Sequence, residues 1–286
     1  MTKKAFLFSF ILLLGLSAPS WSCTIIMVTD GNVCLVGSNE DSVYPLTKMW
    51  FVPATENEYA RVCVGYMMDY NSCQGGMNEK GLFVDGNSLS KQNWIKDENI
   101  GSTYVPLLDH LLASCADISE VKEYFNSHNT PELDRARIPV MDRSGASMIV
   151  EWYNGEVVFL ETDKQYQIST NFIESKYIGK EKPCWRYNAA TKLLDTVHSF
   201  DIPILREALD ITHLEHETST TVFSIICDLK SLDFYVYNFR DFTHELKFNL
   251  KEEIGKGKHE FYFRELFTAN NPEYEKFLLN GPMKMV

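Results

Sequence analysis

Residues 21–42 read WSCTIIMVTDGNVCLVGSNEDS, from Trp21 to Ser42, and the reading of this stretch decides the fold. Residues 24–28 and 33–37 are apolar, β-branched runs on either side of Asp30, Gly31 and Asn32. That pattern predicts two antiparallel strands joined by a turn. Cys23 opens the first strand, and Asn39, Glu40 and Asp41 close the second. Cys23 also stands directly after a segment with the make-up of a secretory leader. Lys3 and Lys4 form a basic head, residues 5–16 an apolar run, and Ser-Ala-Pro-Ser-Trp-Ser at 17–22 a small-residue boundary. With Ser20 and Ser22 three and one places before it, Cys23 is the expected first residue of the mature chain.

The apolar run is well short of the roughly 20 residues a membrane-spanning helix needs. A lipoprotein signal is also cut before a cysteine and would acylate Cys23, but it takes an aliphatic and then a small residue where this chain has Ser20, Trp21 and Ser22. The expectation is therefore a signal peptide at 1–22, removed by a signal peptidase, and a single domain at 23–286 in a secreted or periplasmic protein.

Removing 22 of the 286 residues leaves 264, enough for one large domain with a substantial core. Lys3 and Lys4 are the leader's only charges, so the net charge falls from −12 to −14 on cleavage. An acidic chain without a basic cluster argues against nucleic acid or an anionic membrane as a partner. The oligomeric state is not legible. Besides Cys23, the cysteines at 34, 63, 73, 115, 184 and 227 show no metal-type spacing, and either pairing or a reduced, buried state is compatible with the pattern. His213, His216 and Glu217 lack the spacing of a zinc helix and read as a polar loop, so neither a metal nor a cofactor is expected.

Along the chain, further strands are expected at residues 49–52, 60–66 and 81–86, then helices at 104–115 and 117–127, the second opened by an Asp117–Glu120 capping box. Asn154 and Gly155 predict a hairpin between strands at 147–153 and 156–161. A strand at 166–170, helices at 185–198 and 204–211, three closing strands from Thr220 to residue 250, and a helical tail complete the pattern. Strands grouped around a block of helices indicate an α+β layered fold with antiparallel sheets. Residues 91–99 form a polar loop of the kind that serves as a substrate lid.

Freed by cleavage, Cys23 would carry a thiol and an α-amine on one Cα. The amine titrates near 8 and the thiol near about 8.5, so the amine can take the thiol proton at small cost. The thiolate then attacks an acyl carbon and the ammonium protonates the leaving amine. A disulfide half or a strand-opening apolar residue is the plainer reading of an exported cysteine.

The remaining landmarks decide between them. Cys23-Thr24, a strand, a turn, a strand and Gly37-Ser38-Asn39-Glu40-Asp41 resemble the opening of the N-terminal nucleophile hydrolases, within them the linear amide C–N hydrolases that include choloylglycine hydrolase and penicillin V acylase. Residues 75–82, Gly-Gly-Met-Asn-Glu-Lys-Gly-Leu, resemble that family's second landmark, and Ser169-Thr170-Asn171, Trp185-Arg186-Tyr187 and the strands from Thr220 follow in the expected order.

The resemblance implies a four-layer αββα sandwich of two antiparallel sheets and an acyl-thioester on Cys23. It implies that Asp41 orients the nucleophile, that Asn87 (main chain) and Asn171 (side-chain amide) supply oxyanion donors, and that Arg186 approaches the site. A helix-surface arginine is an equal account of Arg186. Two positions depart from the family: Ser38 stands where relatives carry arginine, and Glu40 where bile-salt hydrolases carry a hydrophobic residue. Bile-acid or penicillin specificity is therefore not expected. The reading is an exported amidase for a small N-acyl amide, with an acyltransferase, or a non-catalytic secreted or lipid-anchored binding protein, as alternatives.

Overall fold

The computed structural model describes residues 23–67, 73–102, 105–216, 219–267 and 271–281. The proposed leader, the start of the helix expected from Tyr104, and Glu217 lie outside them. The chain opens with β1 (Thr24–Thr29) and β2 (Cys34–Ser42), paired antiparallel in the register Thr24 to Asn39 through Thr29 to Cys34. β3 (Thr47–Val52), β4 (Arg61–Tyr66), β5 (Cys73–Asn78) and β6 (Phe83–Asp85) continue as neighbours in a second sheet. Short two-residue strands follow, β7 (Asn87–Ser88), β8 (Gly101–Ser102) and, after helices α1 (Leu107–Ser114) and α2 (Ile118–Ser127), β9 (His128–Asn129). Then come β10 (Ala136–Met141), β11 (Ser147–Tyr153), β12 (Glu156–Glu161) and β13 (Tyr166–Ser169). Helices α3 (Trp185–Leu194) and α4 (Ile202–Asp210) precede β14 (Glu215–His216), β15 (Ser219–Asp228), β16 (Asp233–Asn238) and β17 (Leu246–Asn249). The chain closes with α5 (Leu250–Ile254), β18 (His259–Tyr262), α6 (Phe263–Leu266) and α7 (Pro272–Asn280).

The first sheet runs β13-β1-β2-β15-β16-β17 and the second β12-β11-β10-β6-β5-β4-β3-β18, with every pairing in both antiparallel. Side chains alternate across a strand, and here the alternation sorts the apolar residues into layers. Ile25, Met27 and Val36 of the first sheet meet Phe51, Val62, Met77 and Phe83 of the second in a core between the sheets. Ile26, Val28 and Leu35 turn outward onto Ala190, Leu205 and Leu209 of α3 and α4. Leu82, Val84 and Val140 turn outward from the second sheet onto Leu111, Val121 and Phe125 of α1 and α2. The order is helices, sheet, sheet, helices, as the resemblance implied.

Most local expectations hold. Asp117 caps α2 by accepting from the N–H groups of Ser119 and Glu120, while Glu120 reaches back to the N–H of Ala116. Asn154 and Gly155 take φ of 53° and 90°, the left-handed pair a tight hairpin turn requires. Three strands longer than two residues escaped the sequence reading. β5 is glycine-rich, β10 carries Pro139, and β18 is a short run against β3 within a stretch read as helical tail. Local preference argues against the first two, and tertiary pairing overrides it. Gly76 shows why β5 needs its glycines: a Cβ there would lie 2.1 Å from the carbonyl oxygen of Val62.

Candidate active site

The second strand explains its own motif. Gly37, Asn39 and Asp41 face the helices: a Cβ on Gly37 would lie 3.0 Å from Leu205, and Asn39 donates to Leu209 O at 2.8 Å. Ser38 and Glu40 face the other way, into the space between the sheets. Cys23, whose side chain also points between the sheets, is 3 % exposed. The five residues of the motif thus serve two layers at once.

Between the sheets, the Cys23 thiol donates to Glu40 Oε2 at 3.1 Å, and the Tyr66 hydroxyl donates to Glu40 Oε1. The backbone N–H of Asp41 lies beside the sulfur and lowers its pKa against the raising effects of its surroundings. Asp85, at the end of β6, accepts from the N–H of Gly86 at 2.6 Å, and the Ser38 hydroxyl beside it lowers its pKa. Gly75 makes room for that carboxyl, since a Cβ there would stand 2.6 Å from Asp85 Oδ2. Burial pushes the Cys23 thiol well up, and the negative charge of Glu40, Asp41 and Asp85 pushes it further. Burial likewise raises Glu40 against the lowering effect of its bonds from Tyr66 and Cys23. Asp85 is raised well above the usual carboxylate range, by burial and then by Glu40.

On the helix side, Arg186 in the first turn of α3 is 4 % exposed, not a surface residue. Its Nη1 donates to Thr24 Oγ1 at 2.9 Å and to Asp41 Oδ2 at 3.3 Å, and its Nη2 to Asn171 Oδ1 at 3.1 Å. Asp41 also accepts from the Thr221 hydroxyl. Burial lifts its carboxyl to about 7, against the pull of Arg186 and Thr221. Asn87 Nδ2 donates to the carbonyl of Cys23 at 3.0 Å, and Asn87 Oδ1 accepts from the Ser169 hydroxyl. Asn171 Nδ2 donates to Ser88 O at 2.9 Å.

All five residues expected from the sequence therefore converge. Asn87 bonds the Cys23 carbonyl directly, and Asp41 lies close enough to influence its thiol. Asn171 and Arg186 join through Asp41 and Thr24. Arg186 does not take the place of the arginine missing at 38, because it lies on the helix side of β2 while Ser38 faces the second sheet.

The sequence reading missed Tyr66, Asp85, Thr221 and the support given by Arg137. This arginine, 0 % exposed, donates to Phe172 O at 2.7 Å and Glu174 Oε2 at 2.8 Å and lies 3.6 Å from Glu151 Oε2. Glu151 in turn accepts from the N–H groups of Glu174 and Ser175, so the pair fixes the segment that carries Asn171. Period-two alternation around Glu40 was the one available signal for the inter-sheet cluster.

The loop at 91–99 is tied down: Trp94 N donates to Asp134 at 2.9 Å, and Asn129 accepts from Asp97 N and donates to its carbonyl. All seven cysteines are free thiols. Among the described residues no helix is long and apolar enough to cross a membrane, and no group of three or more His, Cys, Asp or Glu is arranged to hold a metal ion.

The model of the family described as acyl-coenzyme A:6-aminopenicillanic acid acyl-transferase matches residues 28–202, more than half of the chain, a segment holding Asp41, Asn87, Asn171 and Arg186. No curated protein matches the sequence. Among solved structures, a mutant of the conjugated bile acid hydrolase from Clostridium perfringens is similar at TM-score 0.67 and 16 % identity, over 84 % of this chain and 96 % of that one. Penicillin V acylase from Agrobacterium tumefaciens is similar at TM-score 0.60 and 15 % identity, over 76 % and 82 %. The Caenorhabditis elegans orthologue of N-acylethanolamine-hydrolyzing acid amidase is similar at TM-score 0.53 and 17 % identity, over 73 % and 93 %. At these identities the structures speak for the fold, and the family match carries the kinship. The chain belongs to the acyl-coenzyme A:6-aminopenicillanic acid acyl-transferase family and shares the fold of these solved structures.

Proposed function

We propose that this chain is an exported amidase that cleaves the C–N bond of a small N-acyl amide through an acyl-thioester on Cys23, after removal of residues 1–22. The observation that carries the reading is the meeting of Cys23 with Asp41, Asn87 and the Arg186 cluster at one strand end. In this reading the thiol attacks the amide carbonyl, and the freed α-amine acts as acid and base. Asp41 orients the nucleophile, and Asn87 and Asn171 are the oxyanion donors. Losing one such donor typically costs about a hundredfold to a thousandfold in turnover.

Water releases the acyl group, since it is the abundant acceptor outside the cell. An amine acceptor would make the same thioester a transferase intermediate, and the acyltransferase family match favours keeping that second reading. Two measurements test the proposal. Intact and peptide mass spectrometry of the secreted protein should find Cys23 as a free amino-terminal residue. A thiol-directed acyl probe should label it, and Cys23→Ala should fold yet take no label. An acylated or disulfide-bonded Cys23, a retained leader, or label and amide cleavage persisting in Cys23→Ala would overturn it.

A further inference from the structure

Glu40 is in contact with the one reacting atom of the site, and the reaction as described gives it nothing to do. Its Oε2 is the acceptor of the Cys23 S–H at 3.1 Å, and its Oε1 is held by the Tyr66 hydroxyl from β4, so both oxygens are committed in a residue 3 % exposed. A carboxylate left ionised against a forming thiolate would repel it. One that takes the thiol proton as the C–S bond forms removes that repulsion and keeps a single negative charge in the buried space.

We propose that Glu40, positioned by Tyr66, is a further catalytic residue: the base that receives the Cys23 thiol proton. This rests on Cys23 being the nucleophile and refines the proton path of that reaction. The proton passes from sulfur to Glu40 Oε2 while the sulfur lone pair attacks the amide carbon. The α-ammonium of Cys23 then protonates the leaving nitrogen as the C–N bond breaks, and the free amine departs. In the second half the α-amine takes a proton from water as the oxygen attacks the thioester. The sulfur leaves and recovers its proton from Glu40. Amide and water become acid and amine, with Glu40, thiol and ammonium restored.

The groups facing this pair are few. Tyr66 and Cys23 touch Glu40, Asp85 approaches from β6, and Asp41 lies beside it on β2 with Arg186 beyond. Burial sets Glu40 above the ordinary carboxylate range, so a rate that needs its ionised form rises with pH through that raised value. Deprotonation of the α-ammonium near about pH 8 ends the plateau.

The test is the rate of Cys23 acylation by a chromogenic acyl anilide, followed between about pH 4 and 9 on the secreted, leader-free protein. Glu40→Gln should slow acylation about a hundredfold to ten-thousandfold and abolish the rising limb. Tyr66→Phe removes a bond that favours the carboxylate and should move the limb to higher pH, an effect a merely structural role would not give. That shift decides the matter if Glu40→Gln does not fold. Acylation of Glu40→Gln at the wild-type rate with an unchanged profile would overturn the proposal, as would an unmoved limb in Tyr66→Phe. A wild-type protein that forms no adduct at Cys23 would instead remove the amidase reading, and this inference with it.

Discussion

Asn87 and Cys23 are joined through the backbone: the Asn87 side-chain amide donates to the carbonyl oxygen of Cys23 at 3.0 Å, and Ser169 holds the other end of that amide. The residue matched to an oxyanion donor is thus also a clamp on the residue that carries the thiol. Asn87 sits on β7, which pairs with β10, whereas Cys23 opens β1 in the other sheet. The clamp crosses between the two sheets at the strand end where the chemistry is proposed.

Replacing Asn87 with Ala should therefore do two separable things. A buried carbonyl loses its donor, which costs about 1–3 kcal/mol in denaturant unfolding. Acylation of Cys23 should fall although the main-chain N–H at position 87, the proposed oxyanion donor, is retained, because the carbonyl of the nucleophile's own residue is no longer held. Ser169→Ala keeps the clamp and should show a smaller fall in rate. Equal rates in Asn87→Ala and the wild type would remove the Asn87 side-chain clamp from the chemistry.

Arg186 ties Thr24, Asp41 and Asn171 together, so truncating it to Ala leaves Asp41 buried without its cation. The expected cost is about 3–5 kcal/mol, because one partner of a buried pair is worse left alone than absent with the other. The double variant Asp41→Asn with Arg186→Met should recover part of that loss in urea unfolding while acylation stays lost.

Arg137 to Ala predicts a comparable loss of about 3–5 kcal/mol, since Glu151 would lose its only counter-charge among the described ion pairs. The segment carrying Asn171 is fixed by the same network, so turnover should fall as well. Arg137→Ala with wild-type stability would refute this account.

The buried carboxylates fix the sign of one pH effect. Glu40, Asp41 and Asp85 all stand above their ordinary values, with Asp41 at about 7. Raised groups favour the fold when protonated, so their contribution is full below the unfolded carboxylate range near about pH 4 and is lost as pH rises through the folded values. Asp85→Asn cannot ionise. Relative to wild type it should therefore gain in melting temperature between about pH 5 and 8. A constant difference across that range would show that Asp85 does not titrate there.

Much was legible from local chemistry. The hairpin of β1 and β2, the Asp117 cap of α2 and the Asn154-Gly155 turn follow from periodicity, side-chain capping and left-handed backbone preference. These interactions close within a few residues, so the sequence displays them. The landmark at 75–82 was visible as a motif but not as a strand. Asn78 binds Leu112 O, Cys115 O, Lys80 N and Leu82 N, and Gly76 lets β4 approach, so its composition answers to contacts that lie elsewhere in the chain.

The order of residues by itself determined that Cys23 opens a strand, that Asp41 closes its partner, and that Ser38 and Glu40 depart from the family's pattern. Only the tertiary structure decided which way those residues face. One face of β2 sends Asp41 to Arg186; the other sends Glu40 to the Cys23 thiol and Tyr66 and brings Ser38 to Asp85. The physical reason is that a strand offers two faces at every step, and which one meets a helix and which a second sheet is set by packing partners far away in sequence.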